Sequence, residues 1–214
     1  MRTASLPLFV AGLGVLAGCG GGAAAPEAAA RAPVVTDWRR LATPADRHRL
    51  GEWRTAFVDA LAVARADGHG AEINREGALL MPDAALDQVD LPPGKYRCRV
   101  IKLGTQVKGR LSYVAYPTFG CRAAITSRGF RMEKLDGSQR PAGFAYPDGP
   151  RRMIFLGSMA LGDETMAMDY GYHPDRDVAA AVERIGPGRW RLVVPYPRFE
   201  SVLDVVELVP APVN

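Results

Sequence analysis

After Leu91 the chain breaks into short segments rich in β-branched and aromatic residues, separated by turn sequences at about ten-residue intervals. The segments read PPGKYRCRVIKLG, RLSYVAYPTFGCRAAI, FRMEKL, AGFAYP, RRMIFLGSMAL, ETMAMDYGY, VAAAVERI, RWRLVVPYP and SVLDVVELV. The turns read LDGS, PDGP, HPDR, GPG and PRFE. Within the segments Tyr96, Cys98 and Val100 alternate with Lys95, Arg97 and Arg99, and Trp190, Leu192 and Val194 alternate with Arg189 and Arg191. No helical period separates them, so the pattern is that of an antiparallel meander of about eight or nine strands. A sheet of that width hides its edges by closing on itself. The expected fold class is therefore mainly β, an antiparallel meander closing into a small barrel, in preference to an open α+β sheet.

One strongly helical stretch precedes the meander. In TPADRHRLGEWRTAFVDALAVARADG, Thr43 stands as N-cap, Pro44 takes the first helical position and Asp46 lies three residues after the cap. Leu50, Trp53, Phe57, Leu61 and Ala64 then recur at three- and four-residue spacing, which predicts one amphipathic helix ended by Gly68 and Gly70. A shorter helical turn is expected at DWRRL, with Trp38 and Leu41 as its apolar contacts.

The N-terminus supplies an address. Arg2 is followed at positions 6–17 by LPLFVAGLGVLA, an apolar run of signal-peptide length that is too short to span a bilayer. LAGC, ending at Cys19, resembles a bacterial lipobox. The resemblance implies cleavage before Cys19 and acylation at that residue, which gives the stable membrane attachment that a single acyl chain does not. Gly20, in place of Asp, implies sorting to the outer membrane, with the domain on the periplasmic face. GGGAAAPEAAARAP has no hydrophobic period and reads as a flexible tether. The expected organisation is a signal peptide at 1–18, a lipid-anchored flexible tether at 19–36, a helical segment at 37–70 packed on the domain and an antiparallel β domain at 71–210.

The charge pattern excludes one partner class. The net charge is +4, but the basic residues are scattered, with Arg39-Arg40 and Arg151-Arg152 as the adjacent pairs. Nucleic-acid binding calls for a dense basic stripe, so no nucleic-acid partner is expected.

Candidate chemistry is sparse. Beyond Cys19, the cysteines Cys98 and Cys121 fall on neighbouring expected strands, and after export they should form a disulfide. His48, His69 and His173 show no metal-ligand spacing, so no metal and no cofactor are expected. No nucleophile motif or phosphate loop occurs, which argues against an enzyme. Three Tyr-Pro pairs, at Tyr116, Tyr146 and Tyr196, each close an expected strand. Strand termination by proline explains them; a ring of tyrosines at one barrel mouth, binding a mostly apolar ligand, is the functional reading. Asp204 shares a strand face with Val202, Val206 and Leu208 and therefore needs a partner; Arg97, Arg99 or Arg191 is expected to supply a buried ion pair.

Two family resemblances follow from these segments. LPPGKYRCRVIKLG, ERIGPGRWRLVVPYP and FESVLDVVELVP resemble an uncharacterised family of proteobacterial envelope proteins, a domain of unknown function, over about Asp37 to Pro210. That resemblance implies no activity and no catalytic residues. CRVIKL, Cys121 and FRMEKLDGSQRPAGFAYPDG look like the bacterial metalloprotease-inhibitor barrel, a small calycin-like barrel with one disulfide. That family blocks its target with a free N-terminal segment, whereas here a lipid anchor and a helix stand in that place. The expected function is a non-catalytic binding or structural role in the envelope, with a small apolar ligand or an envelope protein as partner. Protease inhibition is the first alternative and an enzyme of unknown class the second.

Overall fold

A computed structural model describes Met1, residues 37–107 and residues 109–212. Cys19, the expected signal peptide and the expected tether lie outside these residues. Among the described residues four helices come first: α1 (Trp38–Leu41), α2 (Pro44–Gly51), α3 (Trp53–Ala66) and α4 (Gly70–Glu76), followed by a 3-10 turn at Gly77–Leu80. Eight antiparallel strands then close in chain order into a barrel, β1 pairing with both β2 and β8. They are β1 (Gly94–Leu103), β2 (Tyr113–Thr126), β3 (Gly129–Lys134), β4 (Gln139–Pro147), β5 (Arg152–Leu161), β6 (Asp177–Gly186), β7 (Arg189–Pro195) and β8 (Leu203–Pro210).

The single helix expected from Thr43 to Gly68 is two helices. Thr43 caps α2 as the sequence suggests, its Oγ accepting the Asp46 N–H at 3.1 Å. The chain then turns at Glu52, where φ −90° and ψ 12° leave the helical well before α3 begins. The apolar stripe survives the break: Leu50, Phe57, Leu61 and Ala64 are all buried. The helical layer also runs past residue 70 to Leu80, and the barrel starts only at Gly94.

The helices cover one flank of the barrel's outer wall. Their buried residues join Ile101 and Leu103 of β1, Ile154 and Leu156 of β5, Ala179 and Ala181 of β6, Val193 of β7, and Leu203 and Val205 of β8 in one cluster. Alanines on both sides, Ala56, Ala60 and Ala64 against Ala179 and Ala181, let helix and sheet approach closely. Strands beneath this layer are buried on both faces, which is why VAAAV and RLVV read as continuous apolar runs. By contrast, β3, outside the helical cover, keeps a simple alternation.

A second cluster fills the barrel. Tyr96, Cys98, Met132, Phe155, Val182, Trp190, Leu192 and Leu208 belong to it. Phe155 finds room because Gly157 is the next residue on its face: a Cβ there would stand 2.5 Å from the phenyl ring and 2.5 Å from the Ala142 carbonyl oxygen. One end of the barrel is tied to the segment before β1. The Trp190 indole donates to the Val89 carbonyl at 2.9 Å, the Tyr96 hydroxyl donates to Pro92 at 2.5 Å, and Leu91 packs into the interior cluster. The Cys98–Cys121 disulfide joins β1 to β2 on the inner face, with Cα atoms 5.8 Å apart.

ETMAMDYGY, expected as a strand, is part of the irregular connection from β5 to β6. The connection turns at two glycines of positive φ, Gly162 just before this segment and Gly171 within it. Its polar groups are spent locally: the Glu164 carboxylate accepts from the Leu161 N–H and from Arg176, rather than leaving a strand free to join a ladder.

Candidate functional site

The end of the barrel opposite the Trp190 plug carries the polar interior groups. The ends of β1, β3, β5 and β7 meet the starts of β2, β4, β6 and β8 there. Inward alternation along β1 runs Tyr96, Cys98, Val100 and then Lys102; along β3 it ends on Lys134; along β8 it begins with Asp204. Lys102 and Asp204 are direct register partners across the β1–β8 seam that closes the barrel. Lys102 is 6% exposed, Lys134 8% and Asp204 9%.

These groups share partners. The Lys102 ammonium donates to Gln139 Oε1 at 3.2 Å and to Glu200 Oε2 at 2.9 Å. The Lys134 ammonium donates to the carbonyls of Asp136 at 2.5 Å and Gln139 at 3.0 Å, and lies 3.6 Å from the centre of the Phe119 ring. Gln139 therefore connects the two lysines, one through its side chain and one through its backbone. Among the described ion pairs Lys134 has no carboxylate partner, whereas Lys102 pairs with Glu200. Asp204 accepts from the Ser201 hydroxyl.

The electrostatics follow the burial. Burial pushes the Asp204 carboxyl up to about 6, against the opposing pull of Lys102 and the Ser201 hydroxyl. Burial pushes the Lys134 ammonium down to about 8, with Arg140 adding to the effect and Asp136 opposing it. Burial acts on Lys102 in the same sense, but Asp204 and Glu200 outweigh it and hold this lysine above its ordinary value. Below the polar groups lies a cavity of about 80 Å³ with mostly apolar walls, including Val100, Met132, Phe155, Met159, Val194 and Val206.

The tyrosine ring does not form. Tyr116 lies near the start of β2, at the Lys102 mouth, and Tyr196 directly follows β7 at the same mouth, but Tyr146 ends β4 at the opposite one. Tyr146 and Tyr196 also pack with the helix-side cluster outside the barrel. The expected grouping took Tyr116-Pro117 as a strand end, whereas β2 runs through the proline. A register shift opposite, between Arg99 and Ile101, accommodates it.

Asp204 is buried and inward-facing, but its basic neighbour is Lys102 and not an arginine. Strand parity explains the difference. Arg99 and Arg191 point outward, where Arg99 pairs with Glu76 and Glu207 and Arg191 pairs with Glu183. Carrying the alternation of Tyr96, Cys98 and Val100 one step further reaches Lys102, and the same step along FRMEKL from Met132 reaches Lys134.

A model for a domain of unknown function, DUF4893, matches residues 38–208. The chain belongs to the DUF4893 family. No curated protein and no solved structure matches it. The matched span takes in all four helices and nearly the whole of the barrel, so in this chain the DUF4893 domain is helical layer and barrel together.

The joint between those two parts is a second polar cluster that the alternation pattern does not reveal. Arg191 and Glu183 face each other across β6 and β7, and both are fully buried beneath the 3-10 turn. The guanidinium donates to Glu183 at 2.8 and 3.0 Å and to the carbonyls of Ala78, Leu79, Met81 and Pro82. Arg152 donates to the other Glu183 oxygen at 2.9 Å. Arg152 and Arg191 lie over the rings of Trp53 and Phe57 respectively. Within the DUF4893 domain this is a structural clamp, since its donors are spent on the chain's own carbonyls and carboxylate.

Proposed function

We propose that this DUF4893 protein is a non-catalytic binding barrel of the bacterial envelope, anchored through an acylated Cys19 to the outer membrane and taking a small, mainly apolar ligand inside the barrel. The carrying observation is the cavity of about 80 Å³, apolar along its walls and polar at one mouth. Small-molecule sites have this make-up: apolar area holds the ligand and a few polar groups orient it. The volume is roughly half the ~150 Å³ cavity known to take benzene, so a short chain of a few carbons fits best. Met132 and Met159 in the wall can shift to admit more, because unbranched thioethers repack readily.

Calorimetric titration with 1-hexanol tests the cavity. Saturable binding that is lost in Val194→Phe, a variant that fills the interior, is the expected result. Absence of binding to the wild-type chain sinks the reading. For the anchor, Cys19→Ala should release the protein from the membrane fraction; continued retention in that variant would place the attachment elsewhere.

A further inference from the structure

The polar mouth has a charge arrangement of its own. Lys102 and Lys134 bring two positive charges to the inner face, and Asp204 and Glu200 bring two negative ones. Three of these four sit on barrel strands and are more than nine-tenths buried. Glu200 does not: it belongs to the loop between β7 and β8, and its side chain is 55% exposed against 7% for its partner Lys102. The loop reaches this position with Tyr196 at φ 45° and Glu200 at φ 67°, the left-handed region that non-glycine residues occupy at a cost. It is held in place by polar ties: Gln106 donates to the carbonyls of Pro197 at 2.8 Å and Ser201 at 2.6 Å, and Lys102 holds the Glu200 carboxylate.

A buried ammonium needs a counter-charge, and Glu200 brings its own from the solvent side. If Glu200 swings out, Lys102 loses the one carboxylate with which it forms an ion pair among the described residues. The vacancy is one carboxylate in size and charge, and the Lys102 side chain that borders it also lines the apolar cavity. We infer that this mouth takes the head of a small monoanionic amphiphile, a carboxylate on a short apolar chain, and that Glu200 is the internal carboxylate it displaces; the inference rests on the cavity reading above. The apolar tail lies between Met159, Phe155 and Val206, and the carboxylate accepts from Lys102 and from the N–H of Lys134 not used by the two carbonyls.

The experiment uses the full chain carrying Cys19→Ala, free of any acyl group, titrated with hexanoate and 1-hexanol. Hexanoate should bind about tenfold more tightly than 1-hexanol. Glu200→Gln, a substitution at an exposed position that leaves the fold intact, should strengthen hexanoate binding threefold or more and leave 1-hexanol unchanged. Lys102→Met should erase the preference for the anion. Equal binding of the two probes, or hexanoate affinity unmoved by Glu200→Gln, overturns the anion site while the cavity reading stands. If neither probe binds, both readings fall.

Discussion

Two of the barrel's cross-strand pairs of one acid and one base are buried on both sides, and they are finished to different degrees. Glu183 and Arg191 face each other on the outer wall, Lys102 and Asp204 on the inner. In the outer pair the carboxylate has two arginines and the guanidinium has four carbonyls besides, so little is left to bind anything else. In the inner pair the acid leans on a serine hydroxyl and the base on a glutamine and a half-exposed glutamate from a loop. Burial is similar, but completeness is not. A fully satisfied buried network holds the fold, and one left short of partners can accept a ligand.

Substitutions should separate the two pairs. The largest effect belongs to the outer one: Arg191→Ala leaves Glu183 buried with Arg152 as its sole cation and strips four carbonyls of a donor, and should cost about 3–5 kcal/mol in urea unfolding. Glu183→Leu combined with Arg191→Met should cost clearly less, because no fully buried charge is then stranded; Arg152, which also loses Glu183, is partly exposed. If the single and double variants lose the same stability, the clamp is not what joins the helices to the barrel.

Asp204→Asn comes next, with the opposite sign. In the folded chain Asp204 keeps its proton up to about 6, while its ordinary value is 3.8. The folded state therefore binds more protons between these values, and the stability this group contributes, complete below pH 4, is lost as pH rises through 6. The shift corresponds to roughly 3 kcal/mol at full ionisation. Asp204→Asn should be the more stable protein at pH 7, and its advantage over wild type should shrink as pH falls from 6 to 4. An advantage that does not vary across this window would mean that the Asp204 carboxyl titrates normally.

Glu200→Gln should have the smallest effect on stability, under about 1 kcal/mol in either direction, since the Glu200 carboxylate is half-exposed and Asp204 still faces the Lys102 ammonium across the seam. A melting temperature that falls by many degrees would make Glu200 a structural member of the mouth, with a different role from the displaceable one.

What the sequence made legible, and what it hid, divides along the same line. Alternation and turn spacing located the eight strands, with ETMAMDYGY as one too many, because side-chain parity in a strand is local information, and closure followed from the width of the sheet. It located Asp204 for the same reason. It did not show which strands the helices cover, so Arg191, between Trp190 and Leu192, reads as one of three candidate partners for Asp204, whereas it is the most voluminous fully buried side chain among the described residues and lies on the outer wall against Glu183. Burial of an outer face depends on what packs there from far along the chain, and no short pattern records it. Tyr116 and Tyr146 were misgrouped for a related reason: a proline within β2 imitates a strand end unless the register of the partner strand is known.

Closure by β1 and β8 has a consequence for how the molecule forms. The seam joins residues such as Tyr96 and Pro210, more than half the chain apart. Until the last strand arrives, β1 has one open edge, and the helices that precede it have no complete wall to rest on, since β8 and β7 supply part of their bed. A chain emerging from its N-terminus thus makes its helices first and uses them last. Contacts of such long sequence separation make for slow assembly, so the time before β8 docks is when this protein is most exposed to pairing with a neighbour through its bare strand edges.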